Sequence, residues 1–132
     1  MKTNKSLTHV TSSGVNLVIF NYKNVEQMSE STSERLTQIY NTIQSNIPDN
    51  KITKIVFGHG DDTDVYLENG QHGIYVNPDF NGTECKGWFY LYENKDQAYE
   101  DQENMMETGD YETGAFIKLI EIQNRGLKWL SP

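Results

Sequence analysis

Basic residues are scarce in this chain. Eleven lysines and arginines stand against nineteen aspartates and glutamates, for a formal net charge of −8 and a pI near 4.7. Neutralising phosphates requires a basic surface, so direct nucleic-acid binding is not expected. Cysteine occurs once, as Cys85, which excludes an intrachain disulfide and is compatible with a reducing compartment. Long apolar runs are missing too. The stretches 17–20 and 88–92 are far too short to span a bilayer, and the first nine residues lack the apolar centre of a secretion signal. A cytoplasmic protein with no membrane partner is therefore the expectation. Catalytic signatures are also absent: there is no G-x-S-x-G elbow, no phosphate-binding glycine loop and no H-E-x-x-H. The expectation is a protein that is not an enzyme and needs no cofactor.

What is present suffices for a core. Hydrophobic residues make up 36% of the chain and aromatics 11%, with eight tyrosines. This argues against disorder even at a mean hydropathy of −0.70. At 132 residues the chain reads as a single domain, 1–132, with the polar residues 1–13 a loose arm or a short edge strand.

Residues 15–22 and 52–57 are rich in β-branched and aromatic side chains and read as strands. Between them, Ser31 and Glu34 fit a capping box, followed by Leu36, Ile39, Tyr40, Ile43 and Ile47 at the spacing of one buried helical stripe. Pro48 ends that helix. Asn69-Gly70 between two β-rich runs predicts a type I′ hairpin. A strand over 88–93 follows, then a second helix over 95–107 that turns Ala98, Tyr99, Gln102, Met105 and Met106 to one side. Residues 115–122 form a last clear strand, and 127–130 a possible further one. The order β-α-β-β-β-β-α-β(-β) predicts an α+β fold, a mostly antiparallel sheet of five to seven strands with two helices.

Three places could carry chemistry. In the loop 58–64, His59, Asp61, Asp62 and Asp64 are metal-ligand types, and His72 could approach from the hairpin. Their spacing fits neither an EF-hand nor a paired zinc pattern, so a solvated turn is the competing reading. Cys85 has Lys86 beside it but no neighbouring base. The third is the stretch 87–112. Acids at 93, 96, 100, 101, 103, 107, 110 and 112 face a single base there, Lys95. Asp96, Glu100, Glu103 and Glu107 recur along one side of the helix, where like charges at i, i+4 disfavour an isolated helix by about 0.2–0.5 kcal/mol per pair. Drift on a well-packed helix would account for this; so would a face that steers a positive partner. Trp88, Tyr90 and Tyr92 share one side of the preceding strand, and exposed aromatics beside complementary charge are the composition of interface anchors. A strand buried on both faces is the alternative, with each buried tyrosine hydroxyl then needing a partner.

Small size, acidic charge, an α+β pattern and no catalytic motif together make the chain resemble the bacterial immunity proteins that neutralise cognate toxin domains, including those of contact-dependent inhibition systems. The resemblance is to the class as a whole and rests on no family motif. It implies a tight 1:1 complex with a toxin, often a basic nuclease, that blocks its active site or another essential surface. The partner-binding set expected on this view is Trp88, Tyr90, Tyr92, Asp96, Glu100, Glu103 and Glu107. Two alternatives stay open. One is an acidic mimic of nucleic acid that occupies a DNA-binding host protein, although residues 113–132 hold three bases and one acid. The other is a metal-dependent enzyme using His59, Asp61 and Asp64.

Overall fold

The computed structural model describes residues 5–22, 28–57, 62–76, 84–108 and 116–125. They form one seven-stranded sheet whose strands lie in sequence order. The strands are β1 (Lys5–Val10), β2 (Asn16–Tyr22), β3 (Ile52–Phe57), β4 (Asp62–Leu67), β5 (His72–Val76), β6 (Glu84–Tyr92) and β7 (Lys118–Arg125). Helix α1 (Glu30–Asn46) joins β2 to β3, and α2 (Lys95–Thr108) joins β6 to β7. β2 and β3 are parallel, as a helical crossover permits; every other pair is antiparallel. The fold is thus the α+β architecture expected, with the polar N-terminal arm supplying edge strand β1. The possible strand at 127–130 lies outside the described residues.

The helices cover opposite faces. α1 lays Leu36, Ile39 and Ile43 on one side of the sheet, against Leu17 and Ile19 of β2, Ile55 and Phe57 of β3, Val65 of β4, Phe89 of β6 and Ile122 of β7. On the other side Ala98 of α2 packs with Ile74, Val76, Tyr90 and Tyr92. A strand alternates its side chains across the sheet, and β6 shows the result: Phe89 and Leu91 join the α1 core, Tyr90 and Tyr92 the α2 core.

Three local expectations are corrected. The N-cap of α1 is Ser29, whose hydroxyl accepts from the Thr32 backbone N–H at 3.2 Å. The helix therefore starts earlier than a cap at Ser31 requires, and Thr32 occupies the position where a capping box needs Glu or Gln. β7 begins at Lys118 rather than at 115. In the β4–β5 hairpin the Gly70 N–H donates to the Leu67 carbonyl at 3.1 Å, which puts Glu68 and Asn69 at the centre of the turn. Gly70 follows at φ +89°, the left-handed bulge position of a longer hairpin loop rather than the second residue of a type I′ turn. The Asn69 carboxamide oxygen accepts from the Gln71 N–H at 3.0 Å and closes the loop. The space around Gly70 is open, so any cost of a side chain there is conformational. Gly70→Val is expected to lower stability by about 1–2 kcal/mol, measured by urea denaturation; an unchanged midpoint would mean that the turn adopts another conformation.

Candidate functional site

Register across the second face of the sheet assembles a polar row. Lys54 of β3 lies opposite Tyr66 of β4, Tyr66 opposite His72 of β5, and His72 opposite Tyr92 of β6. Directly opposed residues share a face, so these four side chains stand in line on the face that α2 covers at β5 and β6. Asp64, two residues before Tyr66 on the same side of β4, reaches the row diagonally. Its Oδ1 lies 2.8 Å from His72 Nε2. His72 is 1% exposed, and Tyr66 stands edge-on to its ring at a centroid distance of 4.8 Å.

α2 closes over this row. Asn94 caps it, its side-chain oxygen accepting from the Gln97 N–H at 2.8 Å, while Gln97 Oε1 accepts from the Glu93 N–H at 3.0 Å. The turn 93–95 is therefore a built helix start, and it sets the direction in which the helix crosses the sheet. Ala98 is fully buried, and one turn on, Asp101 is only 2% exposed. Asp101 Oδ2 accepts a 2.6 Å hydrogen bond from the Tyr92 hydroxyl. Burial, chiefly, and then that bond and the Asp101 charge push the Tyr92 hydroxyl well above its ordinary pKa. Tyr99 lies 40% exposed, its ring edge-on to His72 at 5.8 Å. Its hydroxyl is raised as well, by burial of that end first, then by the Asp64 charge and a hydrogen bond with Tyr66.

The expected site residues separate accordingly. The face of β6 that carries Trp88, Tyr90 and Tyr92, which could have stayed partly open, closes over Tyr90 and Tyr92 and leaves Trp88 half-buried. Tyr92 is 0% and Tyr90 2% exposed, the latter with Phe116 edge-on at 5.4 Å. The buried Tyr92 hydroxyl finds its partner in Asp101. Trp88 is partly buried against the same cluster. Asp96, Glu100 and Glu103 are exposed on α2. Glu107 lies in α2, but its side chain falls outside the described residues. The helix is rotated from the expected orientation, so that Asp101 faces inward and Tyr99 outward. An acid at a core position is misplaced by a hydrophobic wheel, because the wheel cannot register a tyrosine hydroxyl waiting beneath it. Asp101, Tyr99, Tyr66 and the Asp64–His72 pair are the functional candidates missed or only half seen. For Asp64, Tyr66 and His72 the signal lay in the hairpin register that places Tyr66 opposite His72.

For the metal alternative, His59 and Asp61 lie outside the described residues. Asp64 sits within β4, and its carboxylate is engaged by His72. Among the described residues, no group of three His, Cys, Asp or Glu side chains is placed to hold a metal ion. Cys85 falls in β6 opposite Asn124. No described helix is long and apolar enough to cross a membrane. No protein-family model matches the chain, and no curated protein or solved structure matches it either.

Proposed function

We propose that this chain is an immunity-type inhibitor that acts in the bacterial cytoplasm and neutralises a basic toxin domain, a nuclease being the class its charge fits best. One observation carries the proposal: α2 is anchored from beneath by Ala98 and by the Tyr92–Asp101 bond, while Asp96, Glu100 and Glu103 stay exposed. Its last turn contains no base to offset them. Acids on a pinned helix form a fixed array, which gives a partner both long-range attraction and register. Trp88, at the margin of the second core, and the outward Tyr99 take the place of the buried Tyr90 and Tyr92 as aromatic contacts.

The test uses a basic toxin domain encoded beside this gene. Replacing Glu100 and Glu103 by lysine is expected to slow association at low salt by about tenfold or more and to flatten its dependence on ionic strength, as stopped-flow fluorescence would record. The fold survives, because both positions are exposed. Association as fast as the parent's at low salt would reduce the acidic face to a solubilising surface and remove the inhibitor reading with it.

A further inference from the structure

Lys95 is the one base on the acidic stretch, and its exposed side chain holds the ammonium beside two aromatic rings. Its Nζ lies 5.5 Å from the centroid of the Tyr66 ring and 5.3 Å from that of Tyr99. One cation is therefore shared by two aromatic faces, both within the roughly 6 Å over which the ring quadrupole attracts it. The geometry has local causes. Lys95 and Tyr99 are i, i+4 neighbours on α2, and Tyr66 comes up from β4 beneath them. His72 lies at nearly a right angle to both rings, at centroid distances of 4.8 and 5.8 Å. Asp64 adds negative charge behind the pair, through its bond to His72 and its effect on Tyr99. Lys54 Nζ also lies 4.6 Å from the Tyr66 centroid, so the same ring draws a second ammonium from β3. The mouth is framed by acids: Asp96 and Glu103 stand at i−3 and i+4 from Tyr99, next to it on the helix surface, and both are exposed.

We infer that Tyr66 and Tyr99 wall a binding site for an organic cation, a lysine or arginine head group presented by a basic protein partner, and that Lys95 fills the site from within the chain until the partner displaces it. The source of the cation rests on the inhibitor reading; the site itself rests on the geometry alone. Cation–π attraction is not tied to one donor geometry, so ammonium and planar guanidinium are both accepted, and guanidinium stacks in addition. Lys95 is then a tuning residue. Its removal takes away the one ammonium that both rings share, Lys54 remaining at Tyr66, and tightens binding of an external cation, the reverse of what loss of a contact residue does.

The experiment titrates the full chain with n-butylammonium and n-butylguanidinium chloride at constant ionic strength, with n-butanol as the neutral control. The readout is the chemical shift of the Tyr66 and Tyr99 ring protons. Lys95→Met and Lys95→Gln are two independent ways to remove the shared ammonium at an exposed position, and each is expected to bind both cations about fivefold more tightly than the parent. Adding Tyr99→Leu to Lys95→Met abolishes the saturable shift. Equal response to n-butanol, no saturable shift in either Lys95 variant, affinity no higher than the parent's, or binding that survives Tyr99→Leu would each overturn the inference. No toxin enters this titration, so a negative result removes the cation site and leaves the acidic-face reading to the association-rate experiment. Insensitivity to charge reversal in that experiment removes the inhibitor and leaves the cation site.

Discussion

Gly73→Ala is expected to destabilise the protein by about 2–3 kcal/mol, a large effect for a single methyl group. Gly73 is buried on the α1 side of β5. The ring of Phe89, from the neighbouring strand, lies across it so closely that an added Cβ would overlap Cζ and Cε1. Phe89 is itself fully buried, so the ring cannot swing into solvent to make room. Overpacking of this kind costs about 1–3 kcal/mol, and occasionally more, because neighbours leave their rotamers or the backbone shifts. The arrangement is reciprocal. Tyr75 and Phe89 stand directly opposite each other; Phe89 leans over Gly73, and Tyr75 leans over Gly87 on β6. Gly87→Ala should therefore act similarly, through Tyr75. Urea denaturation measures both. Phe89→Leu combined with Gly73→Ala is expected to cost less than the two changes separately, since the shorter side chain relieves the overlap. A loss under about 0.5 kcal/mol for Gly73→Ala would show that the ring has room to move and that the pairing does not constrain the core.

The second large effect is alkaline. Tyr92 is held neutral by burial and by donating its hydrogen bond to Asp101, so its pKa in the folded chain lies well above the ordinary 10.0. Below pH 10 both folded and unfolded chains carry the proton, and the stabilisation is fully present. Above pH 10 the unfolded tyrosine ionises while the folded one does not, so stability falls as pH rises, by about 1.4 kcal/mol per unit for this one group. From pH 8 to 12 the expected loss is about 2.7 kcal/mol. Tyr92→Phe removes this component. At neutral pH the same change costs about 1–3 kcal/mol, because the buried Asp101 carboxylate loses its tyrosine donor. Urea midpoints at pH 8, 11 and 12 for parent and variant separate the two effects. Parallel pH profiles would place the alkaline loss on other groups, and a neutral-pH cost near zero would mean that the Tyr92–Asp101 bond adds nothing to the docking of α2.

Much of this architecture is local and was legible residue by residue. The 3.6-residue spacing of Leu36, Ile39 and Ile43 marks a helix with one buried side, and Pro48 stops it whatever lies around. The alternation in β6 separates Trp88, Tyr90 and Tyr92 from Phe89 and Leu91 in any sheet. A glycine after Asn69 marks a chain reversal, because few other residues accept a positive φ. These signals depend on the chain within a few residues of themselves, so the α+β class and the two helices could be read without a fold. Turn type and cap position were less secure. Ser29, Ser31 and Thr32 all carry a hydroxyl able to cap, and only the path of the chain into α1 selects Ser29.

Composition and short-range pattern thus determined the acidic charge, the strands and helices, and which side chains share a strand face. The tertiary structure decided which faces meet water. α2 crosses β5 and β6 at a rotation that sends Asp101 down to Tyr92 and leaves Tyr99 out, and no helical wheel contains that choice. It arises because a carboxylate satisfied by a buried tyrosine hydroxyl is tolerated in a core from which an unpaired one is excluded. For the same reason Tyr92, aromatic enough to be an interface anchor by sequence, became core, and Tyr90 joined it beside Phe116. Asp64, Tyr66 and His72 meet across one local hairpin, but only the crossing of α2 brings Lys95 and Tyr99 over them.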